Sequence, residues 1–455
     1  MSAERTAADE FAFDVGINEK VSFAQSFFLS IQNISVMATM LIFPGVLGRA
    51  FHMEIHQIAY LYGICFMTCG IATIFQSVVL LRLPVVQGPW APTFIALIAL
   101  GHLPGSSLGT AFGSFFVASL VWCLFALPVR GVSLIGLLSR YFLDPTVSGV
   151  IIVLAMVQLG GATLPHWIGE PTSPGFPFVN IAIGALSVAI LMFLMTRQHI
   201  VARRGAVLIS LAVGSLLYFI VCPTALNHPG NAPLFVLPRP FAFGFGVQPV
   251  FVLIFLLTLI PTGVQSIAMY ELLAEWAKVK LSAGRVSQGV LAIALASVFA
   301  AVFSSFSTVF FATNLSLLQS TRVGSRFVTF STGLMLVLLG CFARIDLLFA
   351  LIPSPIISAI ATVLFGGVFS HGARMIFSQG HNDRRVMVVG FSLFLGFGGL
   401  FVPQEVLHHL PILLQTIVSQ PVILGTTAAV VLYNLICRPK RTGVLAPQAA
   451  APARH

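Results

Sequence analysis

Residues 307–326 read STVFFATNLSLLQSTRVGSR and place polar side chains inside an apolar region of the chain. Thr313 and Asn314 interrupt the run, and closely spaced arginines end it. In hydrocarbon an unpaired backbone polar group costs several kcal/mol, so non-helical backbone at membrane depth occurs only where protein buries it or where it lines a cavity. The stretch therefore predicts a broken membrane element at a candidate binding site.

The composition extends this prediction to the whole chain. Hydrophobic residues make up 58% of the 455 residues and charged residues only 8%, and the mean hydropathy is +1.00. Apolar runs that are long enough to cross the roughly 30 Å hydrocarbon core as helices recur from Val21 to Cys437. The pattern excludes a soluble domain and predicts an all-α polytopic membrane protein in contact with the lipid bilayer.

The basic residues predict an orientation in the membrane. The net charge is +10, but Lys and Arg are scattered singly between apolar runs, so we expect no nucleic-acid partner. With a cytoplasmic N-terminus, all of the 23 basic residues except Arg49, Arg239 and Arg344 fall on the cytoplasmic side. Cytoplasmic loops are enriched in Lys and Arg, so the sequence predicts a multi-pass protein of the cell (inner or plasma) membrane with both termini cytoplasmic.

We expect no processing, crosslinks or bound cofactor. The first twenty residues carry carboxylates and no basic segment followed by an apolar one, so a cleaved signal peptide is not expected. The six cysteines show neither a disulfide framework nor a zinc spacing, and we predict no metal site and no cofactor.

The apolar runs divide into two similar sets, about fourteen spans in all. They cover residues 23–46, 55–81, 90–101, 109–128, 145–163, 177–195 and 203–221, and then 248–274, 285–304, 309–320, 327–343, 353–370, 385–401 and 420–437. Each set has a long first span and a short, broken third element. Because each set has an odd number of spans, the second set enters from the opposite side, which predicts two inverted seven-helix repeats with a site at the paired short elements.

The partner of the opening stretch is Leu83–Pro92, LPVVQGPWAP. Its three prolines and one glycine prevent a regular helix, so we predict extended backbone that leads into a half-helix near Trp90. Ser307–Phe311 favours extension in the same way, before a helix capped by Thr313 or Asn314. The two helix N-termini would face each other and present free N–H groups to a polar or anionic ligand.

Five segments resemble the motifs of one transporter family over nearly the whole chain. They are Ser30–Asn33 with Phe43-Pro44, Gly70–Gln76, Leu83–Gly88, Asn314 with Thr321–Arg326, and Ala428–Cys437. These segments are similar to those of the nucleobase-ascorbate transporter family. The resemblance implies a fourteen-helix fold with core and gate domains, a homodimer, and transport of uracil, xanthine, uric acid or ascorbate with H+ or Na+.

The resemblance also implies domain boundaries. We expect a core domain from 21–128 and 248–343 and a gate domain from 129–225 and 344–437. The remaining segments are an N-terminal tail (1–20), an outer connecting loop (226–247) and a C-terminal tail (438–455).

The resemblance places the substrate at polar residues of helices 8 and 10 and at the backbone of the two short elements, and the chain departs from the family at several motif positions. Asn33 replaces the first-helix histidine, Gln265 the helix-8 glutamate, Gln288 the helix-9 aspartate, Thr313 the acid or amide before Asn314, and Ser316 the following glycine. No acidic residue remains at these positions.

We therefore predict a substrate site made of neutral polar groups. The amide of Gln265 can pair with the N–H and C=O of a pyrimidine or purine edge; the alternative is a glutamine that packs between helices. Thr313 and Asn314 can contact the ligand or cap the half-helix, and Trp90 can stack on a flat ring or pack as an ordinary aromatic. The other predicted substrate-binding residues are Ala91, Gln32 and Ser316.

Two interpretations of ion coupling follow from the missing acids. Coupling to H+ or Na+ is either weak or located elsewhere, for instance at Glu271. Glu271 and Glu275 lie one turn apart and close in sequence to Lys278 and Lys280, so a solvated, salt-bridged helix end is the alternative.

The sequence as a whole predicts a secondary transporter of a nucleobase such as uracil or xanthine, with alternating access by movement of the core against the gate. Two alternatives use the same fold: a transporter of a small organic or inorganic anion, and a non-transporting membrane sensor. An enzyme is not expected, because the sequence shows no nucleophile, acid-base pair or metal cluster.

Overall fold

The computed structural model describes most of the chain. The described residues are 12–101, 106–129, 132–134, 145–169, 171, 173–197, 200–223, 234–235, 237–311, 313–377, 382–411, 414–415, 418 and 421–437. The predicted C-terminal tail, residues 1–11 of the N-terminal tail and most of the first half of the connecting loop lie outside them.

The first repeat consists of helices and two short pieces of sheet. It contains α1 (Phe23–Val36), a 3-10 turn (Met37–Leu41), α2 (Ile42–Ala50), α3 (Ile55–Ile74), a π-helical turn (Phe75–Leu80), β1 (Gln87–Pro89), α4 (Ala91–Gly101), α5 (Leu108–Ala126), β2 (Pro128–Val129), β3 (Val132–Ser133), α6 (Pro145–Ile168), α7 (Phe178–Thr196) and α8 (Ile200–Val221).

The second repeat has the same order of long and short elements. It contains α9 (Pro249–Trp276), α10 (Ala283–Val302), β4 (Thr308–Phe310), α11 (Thr313–Thr321), α12 (Arg326–Cys341), α13 (Ala343–Ala350), α14 (Ser354–Phe377), α15 (Asp383–Gly398), a 3-10 turn (Gly399–Phe401), α16 (Gln404–His408), α17 (Pro421–Leu432) and a π-helical turn (Tyr433–Cys437).

This architecture confirms the predicted all-α membrane fold. Among the described residues, seven helices are long and apolar enough to cross a membrane. The first predicted span, 23–46, is instead divided between α1 and α2 by a 3-10 turn. Pro44 explains the break, because proline has no N–H to donate to the carbonyl of Met40 and its ring disfavours the preceding helical turn.

Side-chain caps determine where several helices begin. The hydroxyls of Ser22, Ser107, Ser282 and Ser325 each accept a hydrogen bond from a backbone N–H in the first turn of the helix that follows. Asn382 caps α15 through its side-chain oxygen in the same way. These caps satisfy donors that would otherwise lack partners, so they place the helix starts within a residue or two of the predicted positions.

The second helix of each repeat packs against the fourth helix of the other repeat, α3 against α12 and α10 against α5. Glycines let the α3 and α12 backbones touch. A Cβ atom on Gly70 would lie 2.5 Å from the carbonyl oxygen of Gly333, and one on Gly340 would lie 2.2 Å from that of Gly63. Such close packing of small residues stabilises helix pairs in lipid, where no hydrophobic effect drives their association.

A second group of helices is built around α6 and α14, which share an extensive contact. Gly149 and Gly372 meet there, because a Cβ atom on Gly149 would lie 2.6 Å from the carbonyl oxygen of Gly372. Helices α7, α8, α15 and α17 surround this pair. Phe178 and Phe394 are each 81% exposed on α7 and α15, which is the pattern expected of surfaces that face hydrocarbon.

Candidate functional site

The two short elements predicted from the sequence pair with each other. β1 and β4 form an antiparallel two-stranded ribbon in which Gln87 lies opposite Phe310 and Pro89 opposite Thr308. The backbone N–H of Trp90 donates to the carbonyl of Ser307 (2.8 Å), and that of Phe311 donates to the carbonyl of Val86 (2.9 Å). All six strand residues are buried. The ribbon therefore satisfies the extended backbone that the sequence predicted, with a partner from the opposite repeat.

A half-helix leaves each end of the ribbon. α4 begins at Ala91, directly after β1, and α11 begins at Thr313, shortly after β4. Because the strands are antiparallel, the two helices leave the ribbon at opposite ends and in opposite directions. Both helix dipoles have their positive end at the ribbon, which favours ligands that present carbonyl or anionic oxygen.

Glycine and aromatic residues fix the position of α4 and the ribbon. Any side chain on Gly88 would collide with the Phe311 ring, since its Cβ would lie 2.1 Å from a ring carbon. The rings of Phe43, Phe94 and Phe306 pack behind α4, with centroid separations of 4.9 to 6.1 Å. This cluster joins α2, α4 and the segment before β4, so it holds both repeats at the site.

Trp90 links the ribbon to α9. It is 6% exposed, and its indole Nε1 donates to the backbone carbonyl of Thr258 at 3.0 Å. A cavity of about 200 Å³ lies beside this contact, lined mainly by apolar groups of α4, α9 and α17, including Pro92, Thr258 and Val430. Ala91 is 8% exposed at the start of α4. Trp90 and Ala91 are not themselves among the lining residues; they adjoin the cavity through Thr258, which accepts from Trp90, and Pro92, which follows Ala91.

Asn314 lies in a buried chain of hydrogen bonds. Its Nδ2 donates to Oδ1 of Asn33 (2.8 Å), and Nδ2 of Asn33 donates to Oγ1 of Thr332 (3.2 Å). The Oδ1 of Asn314 and the Oε1 of Gln32, the residue before Asn33, are buried without a hydrogen-bond partner in the described part of the chain. Because a buried polar atom without a partner is costly, these two oxygens are available to a donor from a ligand or water.

The other predicted residues occupy different positions. Gln265 is half-buried on α9, seven residues and therefore about 10 Å beyond Thr258. It makes no hydrogen bond with another described residue, so its amide is available for ligand contact. Thr313 and Ser316 are on α11, but their side chains lie outside the described part. Glu271 and Glu275 are exposed at the far end of α9, and no ion pair joins them to Lys278 or Lys280 within the described residues.

A buried polar network that the sequence analysis did not identify holds β1 in place. Nε2 of Gln87 donates to Oε1 of Gln76, and Nε2 of Gln76 donates to the hydroxyl of Tyr270 and to the carbonyl of Gly289 (3.2 Å). The backbone N–H of Gln87 donates to Oγ1 of Thr73 at 2.9 Å. The network joins β1 to α3, α9 and α10. In the sequence the only sign of this network is one glutamine in each of two otherwise apolar segments, Gln76 and Gln87.

The charge of the site is the last element of its chemistry. The segments that form the site contain no Asp, Glu, His, Lys or Arg residue. They are 83–101 and 303–321, which supply the ribbon and the half-helices, and 249–270, which forms the first three-quarters of α9. The polar groups are amides, hydroxyls, an indole N–H and two helix N-termini. Such groups suit a planar ligand with N–H and C=O groups along its edge.

A sequence model described as "Permease family" matches residues 24–405. The chain belongs to the nucleobase-ascorbate transporter family. This membership confirms the resemblance seen in the motifs. The permease is 25% identical over 437 residues to "Xanthine permease" of Bacillus subtilis (strain 168), covering 92% of this chain and 96% of that one. It is 28% identical over 420 residues to "Uric acid transporter UacT" of Escherichia coli (strain K12), covering 89% and 84%. Relatives of this kind indicate a transporter and not an enzyme.

Solved structures confirm the fold. The transmembrane domain of a cyanobacterial bicarbonate transporter, BicA, aligns with a TM-score of 0.54 at 14% identity, covering 91% of the permease and 100% of that domain. Murine Slc26a9, an anion transporter, aligns with a TM-score of 0.58 at 11% identity, covering 92% of the permease and 69% of that chain. At such identities the likeness shows the inverted-repeat fold alone.

Proposed function

We propose that the permease is a secondary transporter of a nucleobase, a purine such as xanthine or a pyrimidine such as uracil. The observation that carries the proposal is the chemistry of the ribbon region, where neutral donors and acceptors are concentrated and no charged residue occurs. A nucleobase presents alternating N–H and C=O groups on a flat ring, which the amide of Gln265, the half-helix N-termini and the face of Trp90 can bind. The names of the relatives agree with this substrate class.

Access to the site would alternate between the two sides of the membrane. We assign 21–128 and 248–343 to a core domain and 129–225 and 344–437 to a gate domain. The ribbon joins the two parts of the core, and the cavity beside Trp90 lies between core helices α4 and α9 and gate helix α17. A rigid core that moves against the gate would expose this boundary first to one side and then to the other.

The orientation and assembly of the permease are part of the same proposal. All basic residues except Arg49, Arg239 and Arg344 lie on one side of the predicted topology, so we place both termini in the cytoplasm of a cell with the protein in its inner or plasma membrane. A homodimer is proposed from the family resemblance, and its test is the mass of the purified protein in detergent or nanodiscs.

We propose that substrate binding takes up no proton at the site. Gln265 and the other predicted ligand groups do not titrate near neutral pH. The measurement is the dissociation constant of a nucleobase that does not itself titrate between pH 6 and 8. A constant value across this range is expected, and a tenfold change would contradict the proposal. If uptake nevertheless rises steeply with an imposed proton gradient, the group that couples transport to H+ lies outside the binding site, and Glu271→Gln is the first variant to examine.

Counterflow of radiolabelled xanthine and uracil into proteoliposomes tests the function itself. We expect uptake that unlabelled nucleobases inhibit and that sulfate, bicarbonate and carboxylates do not. Gln265→Ala should weaken binding, whereas Gln25→Ala, an exposed glutamine on α1, provides the matched control. Inhibition by inorganic anions would support the anion transporter, and binding without counterflow would support the sensor.

A further inference from the structure

A cavity separate from the one beside Trp90 is polar and carries three arginines in its lining. Its volume is about 740 Å³, and it lies where the N-terminal segment, the end of α3, the α9–α10 link and the start of α12 meet. Arg82, Arg285 and Arg326 line it together with Asn18, Ser282 and Gln288. None of the described lining residues is Asp or Glu. In the orientation proposed above, this cavity opens to the cytoplasm.

Backbone carbonyls hold one of the three arginines in place. Nε of Arg285 donates to the carbonyl of Leu81 at 2.6 Å, and its Nη2 donates to the carbonyl of Arg82 at 2.8 Å. These bonds close the end of the α3 segment and fix a full positive charge in the cavity wall. Arg285 is therefore held in the cavity wall by the backbone that follows α3.

Arg326 has one donor without a hydrogen-bond partner among the described residues. Its guanidinium lies 5.5 Å from the centre of the Phe327 ring, and its Nε is buried with no hydrogen-bond partner in the described part of the chain. Contact with a ring face leaves the in-plane N–H groups of a guanidinium free to bind an anion. A buried donor on a charged group is costly when it stays unpaired, so a ligand that accepts from it would be favoured.

The three positive charges have no negative partner among the described residues. The ion pair recorded there joins Arg322 to Asp14 at 3.8 Å and includes none of the three cavity arginines. Like charges that share a cavity repel one another, and this repulsion is relieved when an anion enters. A bound anion would therefore offset the unpaired positive charge of the three arginines.

A helix N-terminus adds to this field. α10 begins at Ala283, and its cap, Ser282, accepts from the backbone N–H of Arg285 at 3.2 Å. Gly284 lines the cavity and has no side chain to keep an anion away from the first turn of the helix. The positive end of the helix dipole thus points to the same space as the arginines.

We propose that this cavity binds a phosphate-bearing anion, either the headgroup of an acidic phospholipid or a free phosphate compound in the cytoplasm. Guanidinium groups and helix N-termini recognise phosphate oxygens specifically. The bound anion joins the end of α3, the α9–α10 link and the start of α12, so it stabilises the core from its cytoplasmic side. The assignment of this side rests on the orientation in the proposed function, whereas the binding chemistry does not.

The test measures binding by the full-length protein. Inorganic phosphate is added to the permease in neutral phosphatidylcholine nanodiscs, and phosphatidylglycerol is added to the nanodisc lipids in a parallel series, with NaCl to match the ionic strength. We expect one of the two series to raise the midpoint of thermal unfolding, because a ligand that binds only the folded state stabilises it. The series that responds identifies the source of the phosphate.

Variants connect the response to the cavity. Arg326→Gln should weaken binding about tenfold, since one charge-assisted hydrogen bond is lost. Arg82→Gln is the second variant, and Arg374→Gln, an exposed arginine at the end of α14, is the control. Equal responses in Arg326→Gln, Arg82→Gln, Arg374→Gln and the unmodified protein would overturn the proposal, as would no response in either series.

The acidic N-terminal tail provides a further control. Binding of phosphate only after the double change Asp9→Asn and Glu10→Gln would identify the tail as the occupant and would also overturn the proposal.

Because unfolding midpoints report binding and not uptake, a failed transport assay leaves this result unaffected. A negative result here likewise leaves nucleobase transport untouched.

Discussion

Replacement of Trp90 by phenylalanine tests whether the indole orients the substrate site. The change keeps an aromatic ring and removes the hydrogen bond from Nε1 to the carbonyl of Thr258. A neutral hydrogen bond contributes about 1 kcal/mol to stability, so we expect the unfolding midpoint of this long chain to fall by about 1–2 °C. If the bond holds the ring against the substrate, nucleobase affinity should fall by about fivefold, which corresponds to the same free energy.

Trp122→Phe is the matched control for this experiment. Trp122 is also buried, at 1% exposed, but its Nε1 has no hydrogen-bond partner in the described part of the chain. Both variants lose the same atoms, but only Trp90→Phe breaks a hydrogen bond within the described residues. The assays are thermal unfolding followed by circular dichroism and equilibrium binding of radiolabelled xanthine. Unchanged affinity in Trp90→Phe, or an equal loss in Trp122→Phe, would refute the reasoning.

Three further predictions follow from the same geometry. Gly70→Leu should prevent folding, because even a Cβ atom at this position would lie 2.5 Å from the carbonyl oxygen of Gly333; a monodisperse detergent-purified protein with a normal unfolding midpoint would contradict this. Asp346→Ala should raise the unfolding midpoint, because both carboxylate oxygens of Asp346 are buried without a described partner. The expected gain in the free energy of unfolding is about 1–2 kcal/mol, and a lower midpoint would show that Asp346 stabilises the fold. Gln265→Glu should bind nucleobase well at low pH and progressively less well as pH rises, since only the protonated carboxyl retains both a donor and an acceptor; a pH-independent dissociation constant would remove Gln265 from the site.

The layout of the helices was predictable because hydropathy is a local property. An apolar run of the required length satisfies its own backbone polar groups in lipid when it forms a helix, so it needs no partner from elsewhere in the chain. The runs at 109–128 and 248–274 became α5 (Leu108–Ala126) and α9 (Pro249–Trp276). The division of 23–46 was not predicted: the run was expected to be one span, and the structure breaks it before Pro44. α13 was not assigned as a helix of its own, because its eight residues are too few to cross a bilayer.

The polar contacts of the site were less predictable. The sequence indicated extension at Ser307–Phe311 and Leu83–Pro92, and the structure confirms both strands. It did not indicate that Asn314 would use its Nδ2 on Asn33, a residue 281 positions away. Nor did it indicate that Gln87 would reach Tyr270 through Gln76. Each of these glutamine and asparagine side chains has several possible partners, and periodicity cannot choose among them.

The sequence by itself determined the membrane environment, the two inverted repeats and the two breaks near Trp90 and Asn314. These features follow from the cost of burying polar backbone in hydrocarbon, which acts on each segment separately. Only the tertiary structure decided that the breaks pair as one ribbon, that Trp90 is held by Thr258, and that arginines from three distant segments line one cavity. Those contacts depend on the way in which one repeat packs against the other, because the residues involved are remote in the chain and meet only when both repeats are folded.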